Sequence, residues 1–405
     1  MTLTRNRFTL TIAVPVMLSC FVALAVPSVH AQQAPVYRVD PFWPKPLPNK
    51  WSMQQGVDIY VDKDDHIWAI NRPDDARPDE LGAMTNPPRS ECCVLGPEVL
   101  ELDSEGNVLR AWGSQNYVPG WPGRLQTIGL DRALNVYVSG TMPGDSVVKF
   151  TQDGQFLWDF GHRGPKVPAS QVKQDNQQTA TFPSGIGAFD FDENAREIYI
   201  ADGFLNKRVL VYDMDTGAFK RGWGGHGVPL SEIDNDPTPT YDPSGPPPDQ
   251  KQFAPIVHCV HPSRDGFVYV CERGSDRIQV FTKEGAFVKQ FWVHPSTQAR
   301  GAHCGGPWSM TDPPCGTVFN LTLSTDTKQK YLLVADGTND MVWILNRDDG
   351  KLVGSFGGNG RYAGQLHFID SVAMDSKGNV YTGEVEDGKR IQKFVPVSRN
   401  TARDR

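Results

Sequence analysis

The chain has 405 residues and a formal net charge of −7 at pH 7. An acidic chain does not favour nucleic-acid binding, because contact with phosphates requires a basic face. Hydrophobic residues make up 39% of the sequence, which is enough for a packed core. The negative mean hydropathy excludes a multi-pass membrane protein. The 39 glycines and 32 prolines predict many turns and disfavour a helical bundle.

The N-terminal sequence is typical of a secretory signal peptide. Two arginines precede an apolar stretch at residues 10–26, and small residues surround a cut site before Gln32. We expect a signal peptide at residues 1–31 and a secreted or periplasmic mature chain with no membrane span. A lipoprotein attached at Cys20 and an uncleaved membrane anchor are the alternatives.

The expected mature chain contains an even number of cysteines, which predicts disulfide bonds in an oxidising compartment. They are Cys92, Cys93, Cys259, Cys271, Cys304 and Cys315. Cys259 and Cys271 flank a turn almost symmetrically, so they would face each other across a hairpin. Cys304 and Cys315 close a short loop, whereas the adjacent Cys92 and Cys93 pair with each other or elsewhere. The sequence leaves the connectivity open.

A repeated pattern covers the rest of the chain. Each unit contains apolar strands separated by short polar turns, and it ends in an aromatic residue that glycine follows in most units. The aromatic residues at these ends are Trp112, Phe160, Trp223, Phe291 and Phe356. Their spacing of 48 to 68 residues leaves room for four strands and for insertions of variable length. This organisation is typical of the blades of a β-propeller.

A sixth unit begins near Ser371 and ends near Phe394, which leaves no room for a fourth strand. We expect residues 37–39 to supply that strand, because a strand borrowed across the termini closes the ring and removes its open edges. The predicted fold is therefore all-β. It is a single six-bladed propeller over residues 32–398, closed by an N-terminal strand and followed by a short polar tail at residues 399–405.

The long insertions fall on connections that reach one face of a propeller. Residues 73–97 separate the second and third strands of the first unit. Residues 163–181, 225–252 and 294–318 each follow a fourth strand. Loops on a rigid scaffold often carry binding and chemistry. We therefore expect a small-molecule or peptide ligand to bind on this insertion-rich face, where the central tunnel opens.

Two segments carry a resemblance to a known repeat. Residues 202–209, with the sequence DGFLNKRV, and residues 272–281, with the sequence ERGSDRIQVF, resemble NHL repeats. Within that superfamily the chain is most similar to the peptidyl-hydroxyglycine amidating lyases, over roughly residues 37–394. The resemblance implies a metal-dependent C–N lyase that acts on a small carboxylated or peptide-like substrate.

The resemblance also implies two site arginines. Arg72 matches the catalytic arginine of the family, and Arg273 matches a second arginine that faces the substrate. Both are placed at the top of a second strand, and two arginines at one mouth favour an anionic ligand. The alternative is that each one pairs with a nearby acid such as Asp74, Asp75 or Glu272.

Two metals follow from the same resemblance. His258 matches one of three zinc-binding histidines, but Ile369 stands at the second position and residues 123–127, which match the third, contain none. His367 lies two residues before Ile369, so His367 and His258 could still converge on zinc. Asp370 matches a calcium-binding aspartate, which implies a structural calcium. The alternative role for Asp370 is a hydrogen bond to backbone.

Three functional hypotheses remain. The first is a divergent lyase in which Arg72 polarises or deprotonates the substrate, although Phe204 at the position of the family's tyrosine removes one route for proton transfer. The alternative is a non-catalytic module that binds a ligand or a protein on the insertion-rich face. The third is a metal-assisted hydrolase such as the propeller lactonases, whose ligand set the sequence does not assemble. The oligomeric state is not determined by the sequence.

Overall fold

The structure, a computed structural model, describes residues 1–2, 34–235, 238–239, 241–247, 249–301, 303–304 and 312–397. Apart from its first two residues, the expected signal peptide lies outside the described residues, as do Cys20 and the expected tail at residues 399–405. From Ala34 onwards the chain forms one compact unit.

Six four-stranded antiparallel sheets, the blades, follow one another along the described chain. The strands of blades 1 to 3 are Ile59–Val61, Ile67–Ile70, Val99–Leu102 and Val108–Trp112; Leu125–Leu130, Val136–Gly140, Val148–Phe150 and Phe156–Asp159; and Ala188–Asp192, Glu197–Asp202, Arg208–Asp213 and Phe219–Trp223. Those of blades 4 to 6 are Val257–Pro262, Phe267–Glu272, Arg277–Thr282 and Phe287–Trp292; Asn320–Leu323, Tyr331–Asp336, Met341–Asn346 and Leu352–Gly357; and Ile369–Met374, Val380–Glu384, Arg390–Val397 and Val36–Asp40.

The N-terminal strand completes the sixth blade. Val36–Asp40 pairs antiparallel with Arg390–Val397, and Val39 lies opposite Phe394. The first strands of successive blades contact one another, including those of blades 6 and 1, so the ring is closed. The prediction of an all-β, six-bladed propeller with a borrowed N-terminal strand is confirmed.

The hydrophobic core lies between the blades. The buried apolar residues form six clusters in the described chain, each drawn mainly from two adjacent blades. The aromatic ends of the repeat pack against glycine turns of the next blade. A Cβ on Gly154 would lie 2.7 Å from the Trp112 ring, and a Cβ on Gly285 would lie 2.6 Å from the Trp223 ring. Both glycines have positive φ, so each turn needs glycine for its conformation and for the close ring contact.

Helical structure in the described residues consists of single 3-10 turns. They are Pro48–Lys50, Pro73–Asp75, Pro78–Glu80, Gly82–Met84, Ala169–Gln171, Gly225–Gly227, Leu230–Glu232 and Arg273–Ser275. A short parallel pair joins Trp51–Ser52 to Val94–Leu95. Within the described residues, no helix has the length and apolar character needed to cross a membrane.

The cysteines form the predicted disulfide bonds. Cys259 and Cys271 lie opposite each other in the first two strands of blade 4 and are bonded. Cys304 is bonded to Cys315. For Cys92 and Cys93, where the sequence left alternatives, the structure shows a bond between the two neighbours.

Candidate functional site

Arg72 and Arg273 occupy the same position in two opposite blades. Each lies ten residues after the residue that begins the first turn of its blade, Asp62 in blade 1 and Ser263 in blade 4. Blades 1 and 4 are three places apart in the ring of six, so the two arginines approach the axis from opposite sides. The equivalent residues of the other blades are uncharged: Thr141, Gly203, Gly337 and Val385.

The two arginines line one cavity of about 550 Å³ at the axis. The other charged or ionisable residues of its lining are Arg124, Arg300, His258, Asp370 and Glu386. Most of the remaining wall is apolar and includes Met142, Pro143, Val172, Phe204, Leu205, Ile256, Phe368 and Val385. Of the four long insertions, residues 163–181 and 294–318 contribute described residues to this wall. The structure thus brings together Arg72, Arg273, His258 and Asp370.

Arg72 donates its hydrogen bonds to uncharged groups of the protein. Its Nε–H donates to the Leu125 carbonyl at 2.6 Å, its Nη1 to Gln55 Oε1 at 3.2 Å, and its Nη2 to Gln126 Oε1 at 2.5 Å. Burial, with a smaller effect from Arg124, lowers the pKa of Arg72 to about 9. Arg72 is therefore a buried cation whose fork is held by amides and a carbonyl.

In the described part of the chain, the end of the Arg273 guanidinium is free. Its Nε–H donates to the Cys315 carbonyl at 2.7 Å, and its guanidinium carbon lies 3.9 Å from the centroid of the Phe319 ring. The two terminal nitrogens have no hydrogen-bond partner among the described residues. Burial lowers the pKa of Arg273 to about 10. A cavity-lining guanidinium with two free NH₂ groups can hold a carboxylate through two parallel hydrogen bonds.

The acids that could have paired with these arginines bind elsewhere. Asp75 accepts from Arg124 at 2.9 Å, and Glu272 accepts from Arg277 at 2.7 and 3.0 Å. Within the described chain, neither Arg72 nor Arg273 forms a salt bridge with a carboxylate. The alternative of simple pairing with Asp74, Asp75 or Glu272 is therefore not seen.

Three side chains at equivalent positions form the floor of the cavity. Gln126, His258 and Asp370 sit at irregularities in the first strands of blades 2, 4 and 6, where the pairing register shifts. A bulge turns an extra side chain towards the axis in every second blade. The register therefore corrects the alignment made from sequence, because the counterpart of His258 in blade 6 is Asp370 and not Ile369.

Hydrogen bonds within the floor determine which of its atoms remain acceptors for a ligand. His258 Nδ1–H donates to the Phe319 carbonyl at 2.6 Å, which leaves the Nε2 lone pair facing Asp370 Oδ1 at 3.8 Å. Gln126 Nε2–H donates to Asp370 Oδ2 at 3.4 Å. Burial lowers the pKa of His258; Asp370 opposes this shift and the cationic Arg273 adds to it, so the net direction is downward. The imidazole is therefore neutral at pH 7, and both it and Asp370 present acceptors to a ligand.

These residues do not fit the zinc site that the resemblance implies. A catalytic zinc needs three protein ligands, and the floor offers one imidazole, one carboxylate and a glutamine oxygen that already accepts from Arg72. His367 is half-buried and does not line the cavity, so the structure does not bring it to His258. Structural calcium at Asp370 stays a prediction.

Sequence reasoning missed several residues of the cavity. Arg124 donates to Asp75 at 2.9 Å and lies 4.0 Å from Glu386, and Arg300 reaches the wall from the insertion after blade 4. A signal for Gln126 was present, since it lies five residues before Asp131, just as Asp370 lies five residues before Asp375. No repeat position marks Arg300, because it belongs to an insertion.

Further along the axis the tunnel holds a second polar cluster, in a cavity of about 210 Å³. His261 lies between Asp190 and Asn320, with 3.0 Å from Nδ1 to Asp190 Oδ2 and 3.0 Å from Nε2 to Asn320 Oδ1. Burial lowers the pKa of His261, but the contact with Asp190 outweighs it and the net shift is upward. Asp58 lines the same cavity, and burial raises its pKa to about 7.

The only three-residue group of potential metal ligands in the described chain lies outside both cavities. Asp62, His66 and Glu101 place one ligand atom each within 4.8 Å of one another in blade 1. Their atoms are already engaged, since Asp62 accepts from the Trp68 indole and Glu101 binds both His66 and Arg110. This group is a structural hydrogen-bond network.

Comparison with known proteins agrees with the repeat. The chain is 25% identical to NHL repeat-containing protein 3 of Mus musculus over 312 residues, which covers 74% of this chain and 73% of the relative. It is 25% identical to the human protein of the same name over 316 residues, which covers 75% and 74%. No protein-family model matches the chain.

The chain is a six-bladed β-propeller that is similar to NHL repeat proteins. The relatives' names describe a repeat and state no activity. The cavity, and not the fold, is therefore the feature of this propeller that bears on its function.

Proposed function

We propose that this protein binds a small ligand with one carboxylate and an apolar body in its axial cavity, without chemical conversion. The observation that supports the proposal is the free end of Arg273. Two NH₂ groups face a cavity of about 550 Å³ and have no partner among the described residues. A carboxylate is planar and matches this fork in two places.

The balance of charge around the cavity also favours a ligand with a single negative charge. Four guanidinium groups surround it, from Arg72, Arg124, Arg273 and Arg300. Three carboxylates oppose them: Asp370 and Glu386 in the lining, and Asp75 behind it through its bond to Arg124; His258 is neutral. One positive charge is left over, which a monocarboxylate would neutralise.

The apolar wall suggests what the rest of the ligand looks like. Phe204 and Leu205 lie on the side of blade 3, Ile256 at the start of blade 4, and Phe368 and Val385 on the side of blade 6. The acceptor atoms of His258 and Asp370 on the floor favour a ligand that also offers a hydrogen-bond donor, such as the N–H of an amide. A short acylated amino acid or a peptide C-terminus has all three features.

The divergent C–N lyase remains a second candidate, because Arg72, Arg273 and His258 do meet in one cavity. Against it stand the incomplete zinc site and Phe204, whose ring lies 5.7 Å from that of His258 where the family has a tyrosine. Release of glyoxylate from a hydroxyglycine peptide, together with one zinc or iron per purified chain, would establish the lyase. Calcium alone would support a structural metal.

Binding is tested by calorimetry with N-acetylphenylalanine and with its amide, which has the same shape and no charge. We expect the acid to bind and the amide to bind at least ten-fold more weakly. R273Q removes the free fork and should weaken binding of the acid by about 10- to 100-fold, whereas R72Q should weaken it less. R110Q, on the outer side of blade 1, is the control. Equal binding of acid and amide would contradict the proposal.

We also propose that the protein is exported. The three disulfide bonds support an oxidising compartment. Cell fractionation, with the mass of the mature N-terminus, tests this. A reduced, full-length chain in the cytoplasm would contradict it.

A further inference from the structure

The end of the insertion after blade 4, together with Phe319 just beyond it, contacts Arg273 at three points. The Cys315 carbonyl accepts from Arg273 Nε–H at 2.7 Å. The next residue, Gly316, fits directly against Arg273, because a Cβ there would lie 2.3 Å from the Arg273 carbonyl oxygen and 2.6 Å from its Cγ. Gly316 has a φ of +85°, which glycine adopts without strain. Three residues further on, the Phe319 ring supports the guanidinium.

The same stretch of backbone is fixed to the propeller on its other side. Thr338 Oγ1 donates to the Gly316 carbonyl at 2.6 Å, and Thr317 N–H donates to Asp276 Oδ1 at 2.8 Å. Gly316 N–H donates to the Gln298 carbonyl at 2.8 Å, which ties the end of the insertion to its beginning. Cys315 and its neighbours therefore form a rigid support for Arg273.

The Cys304–Cys315 disulfide completes this support. Both cysteines line the cavity, and the bond crosses from one part of the insertion to the residue that holds Arg273 Nε. Arg300, on the same insertion, donates to the carbonyl of Gly274, the residue after Arg273. One covalent link thus joins the residue that holds Arg273 Nε to the part of the insertion that follows Arg300.

We propose that the Cys304–Cys315 disulfide is a positioning element for Arg273, and that the affinity of the cavity for a carboxylate depends on this bond. The inference rests on the proposed function, because Arg273 must contact the ligand for its position to matter. The physical reason is preorganisation. A guanidinium held in place by a carbonyl, a ring and a covalent loop loses little freedom when the carboxylate binds.

The test compares two disulfide variants by calorimetry with N-acetylphenylalanine. C304S/C315S should raise the Kd at least ten-fold, whereas C92S/C93S, which removes a disulfide that does not line the cavity, should leave it within about two-fold. The decisive step is to repeat C304S/C315S in the R273Q background. If the bond acts through Arg273, the additional loss of affinity disappears there.

Several outcomes would overturn the inference. An unchanged Kd in C304S/C315S would do so, and so would a loss of equal size in the R273Q background, because a general structural effect would not need Arg273. If C304S/C315S does not fold, T338V provides the same comparison. It removes only the hydrogen bond to Gly316, and it should raise the Kd about five-fold with Arg273 present and leave it unchanged with R273Q. Absence of binding by the unaltered protein would instead overturn the proposed function.

Discussion

Glu272 and Arg277 form an ion pair in which neither side chain is exposed. Arg277 Nε–H donates to Glu272 Oε2 at 2.7 Å and Arg277 Nη2–H to Glu272 Oε1 at 3.0 Å. Glu272 is the residue directly before Arg273, yet it takes no part in compensating that charge. Blade 3 has the same arrangement between Asp202 and Arg208. The arginine of the repeat, Arg277 in blade 4, therefore forms the structural ion pair, and Arg273 lines the cavity.

Because Arg277 has a carboxylate partner in the described chain and Arg273 does not, replacement by methionine should affect the free energy of unfolding differently at the two positions. R277M breaks a buried pair and leaves Glu272 uncompensated, so the free energy of unfolding should fall by about 3–5 kcal/mol. R273M removes a partly buried cation that has no carboxylate partner among the described residues, so the free energy of unfolding should stay unchanged or rise by up to about 1 kcal/mol. Denaturant unfolding of the ligand-free protein measures both. A loss in R273M as large as in R277M would falsify the assignment.

The tunnel cluster predicts a pH dependence of stability. The contact with Asp190 raises the pKa of His261 in the folded protein above its unfolded value near 6.5. The stabilisation by protonated His261 is then fully present below about pH 6.5 and is lost as the pH rises through the folded pKa. Thermal midpoints from pH 6 to 9 should fall less steeply in H261Q than in the unaltered protein.

The other charged groups around His261 do not reverse this sign. Burial raises the pKa of Asp58 to about 7, so Asp58 also makes the fold less stable as the pH rises to about 7, and it does so in both proteins. D190N removes the partner of His261 and should flatten the profile in the same way as H261Q. Parallel profiles for the unaltered protein and both variants would contradict the role given to His261.

The borrowed strand predicts a face-specific effect at the N-terminus. Val39 packs into the cluster between blades 5 and 6, whereas the preceding Arg38 is exposed. Successive side chains of a strand point to opposite faces, so V39D should cost about 2–3 kcal/mol of unfolding free energy while R38D costs little. Thermal unfolding and size-exclusion chromatography check both. Equal behaviour of the two variants would mean that the strand does not close the ring in solution.

Much of the scaffold was readable in the sequence because its signals are local and periodic. The aromatic ends at Trp112 and Trp223 repeat because each ring packs against a glycine turn of the next blade. The Cys259–Cys271 bond was predictable because a hairpin brings equidistant residues together. The meeting of Arg72 and Arg273 followed from their equal place in the repeat.

The floor of the cavity was only partly predictable, because its side chains depend on register. One residue of slip in a strand moves a side chain to the other face. The bulges at Gln126, His258 and Asp370 shift the strand pairing by one position. Alignment by residue type alone therefore treated Ile369 as the blade 6 equivalent of His258. Counting back from the turn residues would have found the correct set.

By itself the sequence determined the number of blades, the closing strand and the pairing across the blade 4 hairpin, because these depend on periodicity and on short separations along the chain. The tertiary structure alone decided which arginine keeps an end without a partner among the described residues. Arg72 meets two glutamines and a carbonyl, whereas Arg273 meets one carbonyl and a ring, and these partners come from other blades and insertions. Long-range packing sets such contacts, so no local pattern could assign them.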